Sequence, residues 1–394
     1  MIKLLKHKDI DVALIELSNM GIVLSVKDIF NKEHLPLSCI RKNGVLDDGR
    51  FGKWWSERGI SENRKEYGMV MRELGSLDRD RLLLISDGLS LSDHYWMDTV
   101  TARRKWKDIN FYENKFDNSL GRLFFGIKKQ NKKYNLNSPD VTSSGNLRKR
   151  WEIRDDGKRI LIKSGNRPYM QEPVNEVIAA NICKKLKIPH VSYYIDFRKD
   201  EPRSNCINMT DINNELVHAI DVYNIFEPSY TENNILKHFI KCTTALNVKN
   251  CHETLDKMMV LDYIMLNHDR HFANFGVLRN SEKLNNYRMA PNYDTGSSLF
   301  FEDSVAMIRL PEYAKSRKIC FDTLEKQLKL VRDWNWLDIS ALKDIGKDSK
   351  DLLMEIPSVE KKRAESLSQI IEKRVAEIGI IAQRKQEKIG KSGR

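Results

Sequence analysis

Two short polar segments of the chain contain the residue types that metal-assisted chemistry requires. Residues 269–274 read DRHFAN and run from the carboxylate of Asp269 to the carboxamide of Asn274, directly after an apolar, helix-like stretch. Further along, residues 293–296 read YDTG and add the carboxylate of Asp294. Mg²⁺ prefers carboxylate and amide oxygens to thiols and imidazoles. Asp and Asn are also frequent in ordinary turns, so neither segment is decisive alone.

A small turn upstream has the composition of a phosphate-binding loop. Residues 142–146 read TSSGN, and a turn of small residues can offer backbone N–H groups to phosphate oxygens. The candidate phosphate-binding positions of this turn are Ser143, Ser144, Gly145 and Asn146. Most turns of this composition bind nothing, so the prediction depends on the residues that follow.

After this turn in the sequence come a lysine, Lys163, and a glutamate, Glu176, whose side chains are expected to form an ion pair. A hairpin signal at Asp156-Gly157 precedes an apolar strand that ends at Lys163. The next helix is predicted to start at Pro173, and its face around Glu176 is small and apolar, so this carboxylate needs a partner. Lys163 is the natural partner. The alternatives are a solubilising lysine at a strand end and an exposed first-turn glutamate stabilised by the helix dipole.

Together these residues are the parts that phosphoryl transfer from ATP requires. That reaction uses a loop over the phosphates, a lysine held by a glutamate, a carboxylate near the acceptor hydroxyl, and two oxygen ligands for Mg²⁺. The chain has them in the order 142–146, Lys163, Glu176, Asp269, Asn274 and Asp294. This order predicts ATP and Mg²⁺ as cofactors. Gly296 is expected to give the backbone the freedom that brings Asp294 to the metal.

The same motifs resemble those of the HipA-like serine/threonine kinases, a bacterial branch of the protein-kinase and lipid-kinase fold. The resemblance rests on NHDRHFANFG, APNYDTG, ILIK with the downstream NEVIAANI, and TSSGN, and it covers residues 138–300. The DRHxxN pattern is also similar to the catalytic loop of phosphatidylinositol kinases, so the motif alone leaves protein and lipid acceptors open. Two departures from protein kinases are a phosphate loop with a single glycine and Thr295 in place of phenylalanine.

The resemblance implies a role for each polar residue of the two segments. Asp269 would orient and deprotonate the acceptor hydroxyl, and His271 would support Asp269 or the transferring phosphate. Asn274 and Asp294 would be the Mg²⁺ ligands.

For the nucleotide, the resemblance implies that Lys163 binds the α- and β-phosphates while it is paired with Glu176. Ser143 and Ser144 match a loop that can be autophosphorylated in this family, which ejects the loop and silences the kinase. The candidate adenine-binding positions, chosen from their place in the chain alone, are Ile207 and Met209.

The elements that must position these residues suggest an α+β fold with two lobes, like that of protein kinases. Residues 1–127 are predicted to form an N-terminal α/β accessory domain, and residues 128–138, which are polar and basic, a linker. A small β-rich lobe is expected over residues 138–212 and a helical lobe over residues 213–394.

Three finer expectations concern individual elements. Residues 89–96 look like a loop that enters a helix, with Ser92 or Asp93 as the N-cap. Residues 324–336 show a helical pattern of apolar positions. The basic tail, residues 383–394, is expected to be frayed or disordered at its end.

The bulk properties limit the class of protein. The chain has 394 residues and 41% hydrophobic content, enough for a sizeable core. No apolar run is long enough for a transmembrane helix, and the N-terminus becomes charged too early for a signal peptide, so we expect a cytoplasmic protein. The six cysteines are scattered without a CxxC pair, which favours reduced, buried thiols over zinc or disulfides.

The chain is basic, with a net charge of +12, which can attract nucleic acid, nucleotide phosphates or an acidic partner. No motif that reads DNA or RNA accompanies this charge, so direct nucleic-acid binding is not expected.

Three functions compete on this evidence. The first is a kinase for a Ser/Thr hydroxyl of a protein. The family resemblance adds that such kinases often are toxins paired with a small DNA-binding antitoxin, and that some phosphorylate translation factors such as aminoacyl-tRNA synthetases. The second is a lipid or small-molecule kinase. The third is a nucleotide-binding pseudokinase with a regulatory or DNA-associated role, although every catalytic position is filled.

Overall fold

The computed structural model describes residues 1–40, 46–128, 134–228, 234–308 and 319–392, with side chains described to residue 387. Three antiparallel sheets, with helices packed around them, confirm the predicted α+β class. Residues 129–133 of the expected linker lie outside the described parts. Within those parts, no helix is both long and apolar enough to cross a membrane.

The N-terminal sheet has the strand order β3-β2-β1-β4. Its strands are β1 (Ile2–His7), β2 (Ile10–Leu17), β3 (Val23–Ile29) and β4 (Tyr95–Thr99). The helices of this part are α1 (Asp48–Glu57), α2 (Tyr67–Glu73), α3 (Arg79–Ile85), α4 (Trp106–Ile109) and α5 (Ser119–Phe124). Phe51 and Trp55 of α1 are buried in the core that joins these helices to the sheet.

Residues 89–96 do not enter a helix, so the N-cap predicted at Ser92 or Asp93 is wrong. Tyr95 begins β4, which pairs antiparallel with β1. The Asp93 carboxylate does cap a backbone amide, since it accepts the Tyr95 N–H at 3.0 Å, but it does so within a turn. Asp side chains close turns and helix starts by the same type of bond, so the local sequence does not separate the two. Tyr95 and Met97 are buried in the N-terminal core, and this burial favours a strand over a helix at this position.

The second sheet has the order β5-β6-β8-β7. Its strands and the helix that packs on it are β5 (Lys149–Ile153), β6 (Arg159–Ser164), β7 (Tyr193–Arg198), β8 (Glu201–Ile207) and α6 (Glu172–Lys185). The predicted hairpin turns at Gly157, whose φ of 81° lies in the left-handed region. This turn fixes the register that places Lys149 opposite Lys163. Pro173 lies in the first turn of α6, close to the predicted start.

The third sheet has the order β11-β10-β9 and lies next to the helical part of the chain. Its strands are β9 (Asn214–His218), β10 (Gly276–Asn280) and β11 (Tyr287–Met289). The helices are α7 (Ala219–Tyr223), α8 (Ile235–Ala245), α9 (Cys251–Met265), α10 (Val305–Ile308), α11 (Leu324–Leu328), α12 (Ile345–Met354) and α13 (Lys361–Ser392). Helix α9 is buried on nearly every side, as its apolar sequence predicted.

The long helix α13 covers α9 along the outside of the helical part. The Tyr263 hydroxyl of α9 donates to the Glu377 carboxylate at 2.7 Å, and the Arg374 guanidinium lies 4.2 Å from the Tyr263 ring centroid. Ile378 and Ala382, further along α13, are buried in the same core. The DRHFAN segment that follows α9 therefore rests on a helix that α13 supports.

One expectation for the C-terminal part is wrong. The helical pattern over residues 324–336 gives only the short helix α11. The chain turns after it because the Asp256 carboxylate of α9 accepts the backbone amides of Arg332 and Asp333 at 3.2 and 3.0 Å. The basic segment continues α13 to Ser392, and residues 393 and 394, at the end of the tail, lie outside the described residues.

Candidate active site

The residues predicted to bind nucleotide and metal meet in one cavity of about 630 Å³, between the second sheet and the helical part. The predicted residues in its wall are Ser143, Ser144, Gly145, Asn146, Lys163, Ile207, Met209, Asp269, His271, Asn274 and Asp294. Glu176 lies behind the wall, where it contacts Lys163. Segments far apart in the chain are thus brought to one cleft.

Lys163 lies between two carboxylates inside the cavity. Its Nζ is 2.6 Å from Glu176 Oε1 and 2.9 Å from Asp294 Oδ1. Glu176 is buried on α6 and also accepts a hydrogen bond from the Ser204 hydroxyl. Burial alone would lower the pKa of Lys163, but the two carboxylates raise that pKa well above its usual value. The lysine is therefore charged at neutral pH.

The DRHFAN loop starts where α9 ends and is closed by its own side chains. Leu266 terminates α9 with a left-handed φ of 48°, and the Asn267 carboxamide then donates to Asp262 at 2.9 Å. Asn267 Oδ1 in turn accepts the Asp269 N–H at 3.1 Å. At the far end, Asn274 Nδ2 donates to the Asp269 carbonyl at 2.7 Å. This bond orients the carboxamide so that Asn274 Oδ1 is left for a cation.

Arg270 fastens the DRHFAN loop to the YDTG segment, a role that sequence reasoning did not assign to it. Its side chain is fully buried and forms an ion pair with Asp262 of α9. Its Nη1 donates to the Asn274 carbonyl at 2.5 Å and to the Tyr293 carbonyl at 2.8 Å. One side chain therefore fixes the two loops that supply the metal-ligand candidates.

Asp269 faces the cavity with half of its side chain exposed. Burial of the remainder raises the pKa of Asp269, the His271 ring lowers it, and the Asp294 carboxylate raises it again, so that the net shift is upward. His271 Nε2 is 3.8 Å from Asp269 Oδ1, which is too long for a hydrogen bond. The raised pKa of Asp269 suits a carboxylate that accepts a proton.

The unusual backbone of the YDTG segment lies at Asp294 and not at Gly296, where it was expected. Asp294 has a φ of 56°, in the left-handed region that few non-glycine residues adopt. Gly296 instead allows a close approach, since a Cβ there would lie 3.2 Å from the Glu172 carbonyl oxygen. The buried Asn175 carboxamide holds the segment by donating to the carbonyls of Gly296 and Ser298 at 2.9 and 2.7 Å.

The oxygen atoms in the cleft fit a magnesium ion. Burial would raise the pKa of Asp294, but the ammonium groups of Lys163 and Lys149 outweigh burial and hold that pKa below its usual range. The carboxylate is therefore ionised at neutral pH. Together with Asn274 Oδ1 it forms an oxygen-donor set, and phosphate oxygens and water can complete the coordination that Mg²⁺ prefers.

The TSSGN turn leads into β5 with its two serines in different environments. Ser143 is buried, and its hydroxyl donates to the Asp140 carbonyl at 2.9 Å. Ser144 is exposed. Gly145 has a φ of 87°, a backbone conformation that favours glycine. A Cβ atom at this position would lie 2.6 Å from Lys149 Nζ, so a larger residue would collide with the lysine.

Lys149 is a cavity residue that sequence reasoning missed. It is buried, and within the described parts of the chain its ammonium has no hydrogen bond or ion pair. Burial and the nearby Lys163 lower the pKa of Lys149 to about 7. A buried cation without a bound anion is unfavourable, so the site favours a ligand that carries negative charge. The hairpin register at Gly157 was the signal that could have placed Lys149 beside Lys163.

A comparison with protein families identifies the C-terminal part of the chain. Residues 130–375 match the family model described as the HipA-like C-terminal domain. No curated protein matches the chain.

Two of the solved structures that are similar to this chain are the following. One is a chain of the Shewanella oneidensis MR-1 toxin–antitoxin complex of HipA, HipB and operator DNA. It is 12% identical and aligns over 95% of this chain and 96% of its own, with a TM-score of 0.51. The other is the Helicobacter pylori proinflammatory kinase CtkA, which is 17% identical over 61% of this chain and 95% of its own, with a TM-score of 0.46.

At 12% identity, the Shewanella oneidensis HipA structure supports the fold alone. The family match covers well over half of the chain and includes the whole candidate site, from Ser143 to Asp294. The chain belongs to the HipA-like kinase family, through its HipA-like C-terminal domain.

Proposed function

We propose that this protein is an ATP- and Mg²⁺-dependent kinase that transfers the γ-phosphate of ATP to a serine or threonine hydroxyl of a protein. The observation that carries the proposal is the position of Lys163, with its ammonium between Glu176 and Asp294. Protein kinases require this lysine–glutamate pair and a metal-binding aspartate to be in place at the same time. A structural ion pair alone would not need a second carboxylate at the mouth of a cleft.

The nucleotide would span the length of the cavity. Its adenine would lie against Ile207 and Met209, at the end of the cleft next to β8. Its phosphates would lie under the TSSGN turn, within reach of Lys163 and Lys149. The negative charge of the triphosphate would offset the buried, unpaired charge of Lys149.

The metal-ligand candidates and the base would act on the phosphate that is transferred. Asp294 and Asn274 Oδ1 would hold Mg²⁺, which when bound neutralises charge on the phosphate oxygens. Asp269 would orient the acceptor hydroxyl and accept its proton as the hydroxyl oxygen bonds to the γ-phosphorus. The bond from that phosphorus to the bridging oxygen breaks, and ADP leaves. His271, near Asp269, would contact the transferring phosphate.

The phosphate loop is also our candidate for autophosphorylation, with Ser144 as the acceptor. Ser144 is exposed at the cavity wall, whereas Ser143 is buried and its hydroxyl is bonded to Asp140. A phosphate on Ser144 would compete with the phosphates of ATP for the same cationic site. This modification would therefore oppose nucleotide binding.

We further propose a small DNA-binding partner of the antitoxin type. The Shewanella oneidensis HipA structure contains HipB and operator DNA, and this chain shares its fold. The partner would contact DNA, and the kinase itself would not be the main DNA-binding component. We propose the domain boundaries 1–127, 138–212 and 213–394, which the three separate sheets support.

The test is transfer of the γ-phosphate from Mg·ATP by the wild-type protein beside its Asp269→Ala and Asp294→Ala variants, followed by mapping of the phosphorylated sites. Label on protein serine or threonine with the wild type alone is the expected result. Label that appears only on added lipid or small molecules would contradict the protein acceptor. Binding of Mg·ADP without any transfer would contradict the kinase activity and leave a nucleotide-binding regulator.

A further inference from the structure

The phosphate loop is held from behind by an arginine of the N-terminal part. Arg64, which lies between α1 and α2, donates from Nη2 to the Ser143 carbonyl at 2.7 Å and to the Gly145 carbonyl at 3.2 Å. Its Nε lies 3.4 Å from the same Gly145 carbonyl. Only 1% of Arg64 is exposed, and its guanidinium lies 4.7 Å from the centroid of the Phe124 ring. Arg64 is thus held firmly between the loop and α5.

These bonds determine which way the loop amides point. In a trans peptide the carbonyl and the following N–H point in opposite directions. With the Ser143 and Gly145 carbonyls turned toward Arg64, the N–H groups of Ser144 and Asn146 are turned away from it. Both residues line the cavity, and within the described parts of the chain neither amide donates a hydrogen bond to another backbone group. The amides of Ser144 and Asn146 flank the left-handed Gly145, and outward-facing amides of this kind can form a concave site for anions.

Further contacts tie the base of the loop to the N-terminal part. The Ser61 hydroxyl donates to Asn146 Oδ1 at 2.8 Å. The Thr142 hydroxyl donates to the Leu89 carbonyl at 2.9 Å. These bonds restrain the two ends of the loop, while Arg64 is the group that bonds to its central carbonyls.

We infer that Arg64 is a positioning residue for nucleotide binding, which presents the Ser144 and Asn146 amides to the phosphates of the nucleotide. The inference rests on the proposed ATP site and adds that the N-terminal part completes it. Arg64 touches no part of the nucleotide in this arrangement, because it lies behind the loop. Lysine is a poor replacement, since it has no second donor nitrogen to match Nε, which also reaches the Gly145 carbonyl, and no planar group to pack on Phe124.

The test is calorimetric titration of Mg·ADP and of adenosine into the wild-type 394-residue chain and its Arg64→Lys and Arg64→Met variants. Arg58→Lys is the matched control, because Arg58 is another buried arginine of the N-terminal part that donates to the Gly88 and Tyr95 carbonyls. Loss of the bidentate contact is expected to weaken Mg·ADP binding by about tenfold in both Arg64 variants. Adenosine, which lacks phosphates, should bind all four proteins equally.

Thermal unfolding of the same samples separates positioning from folding. A purely structural role would lower the melting temperature of the Arg64→Lys and Arg58→Lys variants alike and leave Mg·ADP affinity unchanged in the folded fraction. That outcome, or an equal loss of adenosine binding, would overturn the inference. If the Arg64→Met variant does not fold, the Mg·ADP affinity of the Arg64→Lys variant alone tests the inference. Absence of Mg·ADP binding by the wild type would overturn the proposed ATP site itself, which is a distinct result.

Discussion

Arg270 and Asp262 form a bidentate ion pair in the core of the helical part, with Nη2–Oδ1 and Nε–Oδ2 distances of 2.9 and 3.0 Å. Both side chains are essentially inaccessible to solvent. Asp262 belongs to α9, whereas Arg270 belongs to the loop that carries the proposed base. The pair therefore fixes the position of the DRHFAN loop relative to α9.

Replacing Arg270 by lysine should destabilise the protein. Lysine keeps the charge but cannot make both bonds to Asp262 or reach the two loop carbonyls, so the buried carboxylate loses partners. Breaking a buried pair in this way costs about 3 kcal/mol of unfolding free energy. Urea unfolding of Arg270→Lys beside Arg288→Lys, an exposed arginine of β11, measures the effect. Equal stability of the two variants would show that the pair does not hold the loop.

Replacing Asp269 by asparagine should remove phosphoryl transfer and leave nucleotide binding intact. Asparagine keeps the size and the backbone contacts of Asp269 but cannot accept the proton of the acceptor hydroxyl. Loss of a general base lowers rates by about 10²–10⁴-fold. The measurement is the transfer rate together with the Mg·ADP affinity of the same preparation. A large loss of Mg·ADP affinity would mean that Asp269 serves the nucleotide and not the acceptor.

The pH dependence of stability should reveal Lys149. Its pKa is lowered to about 7 in the folded protein, from 10.5 in the unfolded chain. Between these two values the unfolded chain binds the proton and the folded protein does not, so the unfolding free energy rises with pH. The slope approaches about 1.4 kcal/mol per pH unit for a single group of this kind.

The comparison that isolates this group is the wild type against Lys149→Met, with unfolding free energy measured from pH 7 to 9. The wild type should gain stability relative to the variant across this window. Saturation with Mg·ADP should flatten the difference, because bound phosphates favour the charged lysine. Parallel curves for the two proteins without nucleotide would show that Lys149 keeps its proton in the folded protein, so that its pKa is not lowered there.

Phosphosite mapping should distinguish the two loop serines. Exposed Ser144 is expected to be modified in wild-type protein incubated with Mg·ATP, and Ser144→Ala should lose this phosphate. Ser143→Ala should keep it, because the Ser143 hydroxyl is bonded to the Asp140 carbonyl inside the protein. Intact mass and peptide sequencing provide the measurement. Phosphate on Ser143 in the Ser144→Ala variant would show that the loop opens before it is modified.

The parts of the site that the sequence predicted are those that depend on local spacing. Lys163 and Glu176 could be matched because one ends a strand and the other lies on the buried face of the next helix. The polar loop after α9 could be recognised because its residues lie close together in the chain. The hairpin at Gly157 could be predicted from its turn. The pairing of its strands implies that Lys149 lies opposite Lys163, a consequence that the sequence analysis did not draw.

The parts that the sequence did not predict depend on contacts between distant segments. Nothing near Arg64 in the chain indicates that its side chain meets the Gly145 carbonyl, because folding alone brings them together. Asp93 was misassigned because its side chain closes a turn with the same bond that starts a helix. The apolar pattern after α11 predicted a longer helix. The helix does not continue, because the Asp256 carboxylate accepts backbone amides that a helix would have used for its own hydrogen bonds.

The packing of α13 on α9 has a consequence for any shortened version of this protein. The family match ends at residue 375, but Glu377, Ile378 and Ala382 still contact the core, and Gln386 donates to the Trp334 carbonyl at 3.2 Å. An expression fragment trimmed to the matched region would uncover apolar surface and release Tyr263, two residues before α9 ends. We therefore expect a late stop codon to disturb the DRHFAN loop from a distance, through the loss of support for α9.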